Sequence, residues 1–71
     1  MTQCEKIIDY MERFGSITPM DAFMDLGITR LSARIYDIRN AGTEVHGELE
    51  SAKNRFGDRV HYMRYSLKGD E

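Results

Sequence analysis

The apolar residues of this chain change period once. Up to Asn40 they recur every three or four positions, and beyond Gly42 they alternate with polar ones. A period of about 3.6 builds helices and a period of 2 builds strands. The sequence therefore divides into a helical first half and a hairpin second half, an α+β chain. With 71 residues there is length for one core only. A domain this small buries roughly 60% of the surface its unfolded chain exposes, so every element has to feed the same core. The expectation is a single domain over residues 1–71, with its core in 3–67 and a frayed tail at 68–71.

Three helix starts are legible. Thr2-Gln3-Cys4-Glu5 reads as a capping box, and Cys4, Ile7, Ile8, Met11 and Phe14 follow at helical spacing to Gly15, predicting a helix over 3–14. Thr18 precedes Pro19, which suits a first helical position, and Asp21 complements the dipole of that first turn. Ala22, Phe23 and Leu26 form an apolar stripe that ends at Gly27, predicting a short helix over 19–26. Thr29 is placed to cap a third helix carrying Leu31, Ile35 and Ile38, closed by Asn40-Ala41-Gly42. Two short helices joined by a short glycine-containing junction are the signal of a helix-turn-helix. Tyr10, Met11, Met20 and Met24 belong either to the core or to an exposed apolar patch.

After Gly42, Val45, Gly47 and Leu49 alternate with Glu44, His46, Glu48 and Glu50, and a second strand-like run covers 59–67. The polar stretch 51–58 between them makes a hairpin tip. The register stays open. With Glu50 opposite Arg59 and Glu48 opposite His61, Val45, Leu49, Val60 and Tyr62 share the buried face, and a bulge near Met63 is needed to return Tyr65 and Leu67 to it. Phe56 at the tip is expected to fold back onto the hairpin.

The formal net charge of −2 hides a segregated distribution. Residues 1–27 carry Lys6 and Arg13 against Glu5, Asp9, Glu12, Asp21 and Asp25, and residues 43–50 carry Glu44, Glu48 and Glu50 alone. By contrast, 28–42 hold Arg30, Arg34 and Arg39 against Asp37, and 51–68 hold Lys53, Arg55, Arg59, Arg64 and Lys68 against Asp58. Local field governs contact with a polyanion, so two basic stretches outweigh the acidic sum. No apolar run approaches the roughly 20 residues of a membrane span, no signal-peptide core opens the chain, and the one cysteine cannot form an internal disulfide. A cytoplasmic location without membrane partners is expected.

The stretch LGITRLSARIYDIRNAG (26–42), closing in R-x-x-G ahead of a hairpin, resembles the winged helix-turn-helix superfamily, and within it the small helix-turn-helix domains of bacteriophage and prophage proteins. The resemblance covers about residues 3–67 and implies a three-helix bundle followed by a β-hairpin wing. The strand usual between the first two helices has only Ser16-Ile17 to supply it, so it is expected to be vestigial. The implied partner is double-stranded DNA, and the implied role is transcriptional regulation, with a homodimer on a two-fold site as a possible accompaniment.

The residues support that role on their own terms. A major groove about 12 Å wide accepts one helix, and the third helix offers Thr29, Arg30, Ser32, Ala33 and Tyr36 on its outer side with Arg34 and Arg39 toward the flanks. Ser32 and Ala33 are small enough to let the backbone approach base edges. Arg30 can reach guanine in the bidentate manner, and Thr29 and Ser32 can hold a phosphate at the helix start. Lys53, Asn54, Arg55 and Arg59 at the hairpin tip suit flanking phosphates or a narrow minor groove. Each has a plain alternative: Thr29 as an N-cap only, the arginines as solvated charges paired with Asp37 or the strand carboxylates, and the tip as a solubilising end.

The acidic stretches motivate a second function class, an interaction module that uses the same fold on a protein, such as a phage inhibitor of a host defence complex. His46, Glu48 and His61 would form a metal trio if they shared one hairpin face, although a solvated histidine pair is the plainer reading. Cys4 falls on the apolar side of the first helix as a core residue. With no glycine-rich phosphate loop, nucleophile elbow or paired catalytic carboxylates, neither an enzymatic activity nor a cofactor is expected.

Overall fold

The computed structural model describes residues 1–67, and the tail expected at 68–71 lies outside them. Helix α1 spans Gln3–Phe14. Helix α2 consists of an α-helical turn, Pro19–Asp21, that runs on into a π-helical turn, Ala22–Leu26. Helix α3 spans Leu31–Asn40, and strands β1 (Val45–Lys53) and β2 (Arg59–Leu67) form an antiparallel hairpin. The first and last of these bounds coincide with the sequence reading.

Both capping boxes form. Thr2 Oγ1 accepts from the Glu5 amide while Glu5 accepts from the Thr2 amide, and Thr18 and Asp21 repeat the arrangement ahead of α2. Each satisfies two of the amides that a helix start leaves without partners. Helix α3 differs from expectation. It begins at Leu31, with Arg30 in the N-cap place and no side-chain cap bond, so Thr29 is a turn residue and not the cap. The cause lies upstream. The π turn sends the amides of Gly27 and Ile28 back to the carbonyls of Phe23 and Ala22, and Gly27 turns the chain at φ 70°, a conformation that favours glycine. Ile28 is thereby buried, and the next helix starts only after Thr29 and Arg30 have crossed the gap.

The same π turn revises the stripe on α2. Ala22 is buried and Leu26 packs against the core, but Phe23 is exposed. A wider turn keeps residues four apart on the inner side and swings Phe23 outward. Met20 and Met24 are exposed as well, whereas Met11 belongs to the core.

One core joins all the elements: Ile7 and Met11 from α1, Ile17, Ala22, Ile28, Leu31, Ile35 and Ile38 from the helical half, and Val45 and Tyr65 from the hairpin. Cys4 is half-buried against it, its thiol 3.9 Å from the Arg34 carbonyl. Ser16-Ile17 does act as a vestigial strand. The amide of Ile17 donates to Tyr65 O at 2.8 Å, and the amide of Tyr65 donates back to Ile17 O at 2.9 Å.

The hairpin register runs from Val45 opposite Leu67 to Lys53 opposite Arg59, without the bulge considered near Met63. Glu50 therefore faces Tyr62, not Arg59, and Glu48 faces Arg64, not His61. Burial of Tyr65 and Val45 decides the parity, because a shift of one residue would turn both away from the core. Val45, Gly47, Met63, Tyr65 and Leu67 form the body side. Val60 and Tyr62 fall on the other face. Leu49, on the body side, is nevertheless 66% exposed. Pairing continues through Ala52 and Lys53, so the turn is limited to residues 54–58 and the outer part of the hairpin overhangs the body.

Candidate nucleic-acid interface

Helix α3 buries Leu31, Ile35 and Ile38, which leaves its opposite side to Ser32, Ala33 and Tyr36. Ser32 and Tyr36, four residues apart, are exposed, and Ala33 between them is half-buried. At the start of the helix, Thr29, Arg30, Ala33 and Arg34 come together around a polar cleft of about 410 Å³ that Gln3 and Gly27 complete. The structure thus assembles four expected site residues at the start of α3, which has no side-chain cap. The fifth lining side chain, Gln3, carries no local signal in the sequence and is brought in by the packing of α1 against α3.

The arginines divide by role. Arg30 is exposed at the mouth of the cleft. Arg34 keeps one edge for the cleft while its Nη2 lies 3.1 Å from Asp37, and its Nε is buried with no hydrogen-bond partner among the described residues. Arg39 is a different case. Its Nε and Nη2 both donate to the Val45 carbonyl, at 3.2 and 2.8 Å, and its guanidinium lies 5.9 Å from the centre of the Tyr65 ring. Gly47 makes room for this. A Cβ there would sit 3.0 Å from the Met63 methyl and 3.5 Å from Arg39 Nη2. Arg39, expected at the flank of the interface, pins the base of the hairpin to α3 and remains exposed.

The hairpin sorts its charges by face. Glu48, Glu50 and Arg64 share the outer face, and Lys53, Arg59 and His61 share the body-side face, which carries no carboxylate along either strand. The acidic first strand is therefore no obstacle to a polyanion on the body side. Glu50 is also occupied. Its carboxylate accepts from Arg64 Nε at 2.9 Å and from the Tyr62 hydroxyl at 3.0 Å, and Arg64 reaches Ser16 Oγ at 2.9 Å, tying the hairpin to the segment beside it. The Arg64 contact, aided by Tyr62, holds the Glu50 carboxyl below the usual carboxylate range, and its own hold on Glu50 raises Arg64.

Lys53 stands directly opposite Arg59, and like charges in that relation disfavour the pairing. Arg59 keeps one contact, Nη1 to Ser51 Oγ at 3.2 Å. At the tip, Asn54 is a builder of the turn: its Oδ1 accepts from the amides of Phe56 and Asp58 at 2.9 and 3.0 Å. Arg55 is exposed, and Phe56 is 87% exposed, so it does not fold back as expected. His61, weighed as a metal ligand, lies across the hairpin from His46 and Glu48, and no metal-binding cluster forms among the described residues. Its place beside Lys53 and Arg59 went unnoticed in the sequence because it follows only from the register.

A family model for the winged helix-turn-helix domain matches residues 2–69. The chain belongs to that family, and its three helices followed by a hairpin are consistent with the winged-helix layout. Comparison with curated proteins and with solved structures returns no significant match. No helix among the described residues is long and apolar enough to cross a membrane.

Proposed function

We propose that this protein binds double-stranded DNA, with α3 in the major groove and the wing on the neighbouring backbone, as a small cytoplasmic transcriptional regulator of the phage type. The work is binding and not catalysis. The observation that carries the reading is the sorting of charge on the wing: Lys53 and Arg59 face each other on the side that carries no carboxylate along either strand. In the free protein they repel, and a phosphate placed between them removes the repulsion. At the other end of the site, Arg30 and Arg34 border the uncapped start of α3, where the helix dipole and unpartnered amides favour an anion. Ser32, Ala33 and Tyr36 are the side chains left to read base edges. Each copy carries one such helix and so serves one half-site.

The test is retardation of random duplex DNA at low salt. Arg30, Arg34, Lys53, Arg55 and Arg59 together imply a slope of log K against log salt of roughly −4.5, at about 0.9 per phosphate neutralised. Arg30→Ala with Arg34→Ala should abolish retardation, and removal of Lys53 alone should flatten the slope by about 1. A wild-type protein that leaves duplex DNA unretarded at micromolar concentration sinks the proposal and transfers the fold to a protein partner.

A further inference from the structure

We propose that Phe56 is an intercalating wedge, which enters the minor groove beside the α3 contact, opens one base step and kinks the duplex. The inference rests on the DNA-binding reading above and adds bending to it. Phe56 is 87% exposed, more than any other large apolar side chain among the described residues. It does not sit on a loose end. The Gly57 amide donates to the Asn54 carbonyl at 3.0 Å, and the Asn54 amide donates to the Asp58 carbonyl at 2.9 Å. Asn54 Oδ1 takes the Phe56 and Asp58 amides from within the turn. Gly57 stands at φ 85°, the left-handed residue that closes a three-residue hairpin loop. The ring is thus held at the apex of a turn whose backbone is already ordered, so little conformational freedom remains to be lost on binding.

Charge, reach and surroundings select the occupant. Lys53, Arg55 and Arg59 flank the ring against Asp58 alone, and all four are exposed. Arginine and lysine are drawn to the negative potential of a narrow minor groove. An apolar side chain carried in with them is the means by which minor-groove proteins unstack a step. The wing is long enough to deliver it. Strand β1, held at Val45 by Arg39, covers about 26 Å to Lys53 at roughly 3.3 Å per residue. The minor groove next to an occupied major groove lies half a helical turn away, about 17 Å. A lipid surface or an apolar pocket of a protein is disfavoured, because residues 53–59 offer no second apolar side chain to share the insertion.

The experiment uses the full chain on a duplex of about 20 base pairs of alternating thymine and adenine, in which every second step is easily kinked and the binding register does not matter. Energy transfer between end labels reports bending, 2-aminopurine in place of adenines reports unstacking, and gel retardation reports binding. The wild type should bend the duplex by about 20–90° and raise the 2-aminopurine emission. Phe56→Ala should still retard it, about threefold to tenfold more weakly and with an unchanged salt slope, but leave it straight and stacked. Phe56→Leu, which keeps an apolar wedge, should keep the bend. Both variants should melt with the wild type, since the exposed ring is no part of the core. A duplex that the wild type retards without bending, or that Phe56→Ala bends as the wild type does, overturns the wedge and leaves the DNA-binding reading standing. A wild type that fails to retard the duplex overturns both. Phe56-dependent binding to anionic vesicles that is tighter than binding to the duplex also overturns the wedge.

Discussion

Replacing Arg39 by methionine separates what holds the fold from what the interface uses. The substitution keeps a long apolar stem and removes the guanidinium that donates twice to the Val45 carbonyl. Hydrogen bonds from a charged donor contribute about 1.5–3 kcal/mol in favourable settings, and water can replace part of this at a half-buried joint. The cation over Tyr65, at 5.9 Å, adds about 0.5 kcal/mol. A net loss of roughly 1.5–2 kcal/mol is expected, and in a domain of this size each kcal/mol lowers Tm by about 4–8 °C. Thermal melts followed by far-UV circular dichroism should therefore place Arg39→Met about 6–16 °C below the wild type. Arg30→Met, melted alongside, should change stability by less than about 0.5 kcal/mol. DNA affinity should show the reverse order, measured well below the melting range: Arg30→Met weakens it strongly and Arg39→Met little. If Arg39→Met melts with the wild type and loses DNA instead, the account of Arg39 as the pin between α3 and the wing is wrong.

The remaining expectations concern charge and pH. Lys53→Glu should act in opposite directions on stability and binding: it turns a repelling pair with Arg59 into an attracting one, raising stability by about 0.2–1 kcal/mol in denaturant titration, while weakening DNA binding in gel retardation. The Tyr10 hydroxyl donates to Asp25 at 2.5 Å, and that bond, with burial and the nearby Asp21, pushes its phenol up from 10.0 to about 12. The contact's stability is intact below pH 10.0 and is lost as pH rises toward 12; an ultraviolet titration should show one late-ionising phenol that Tyr10→Phe removes and Asp25→Asn moves back toward 10.0. Glu50 has the opposite sign. Its carboxyl is held below 4.5, so its contribution is present above that value and fades as pH falls through the lowered one. Acid titration of Tm should be shallower in Glu50→Gln.

What the sequence disclosed follows the reach of each signal. Capping residues and apolar spacing act over one or two turns, and they placed α1 at Gln3–Phe14 and β2 at Arg59–Leu67 without error. The π turn at Ala22–Leu26 has no such local mark, because it is decided by where Ile28 must sink; Phe23 and the start of α3 were misplaced with it. The interface was legible as residue types and segregated charge. The assignment of Arg39 to Val45 and the position of His61 were not, since each depends on where the hairpin lies and how its strands pair. Parity was the missing datum. A single strand pairing settles which of the wing's charges face the body.

The mutual bond between Ile17 and Tyr65 also bears on how the molecule comes into being. It joins residues that stand on opposite sides of all of α2, α3 and β1 in the chain, and it is made by the strand that covers Ile17. A polypeptide synthesised only to the wing tip has its three helices and no lid over their apolar sides. Closing a loop of that length is an entropic step that local helix formation cannot shortcut. Assembly should thus be all-or-none, with the last strand as its latch, and a protease that clips the latch should release a collapsed helical remnant in place of a smaller folded domain.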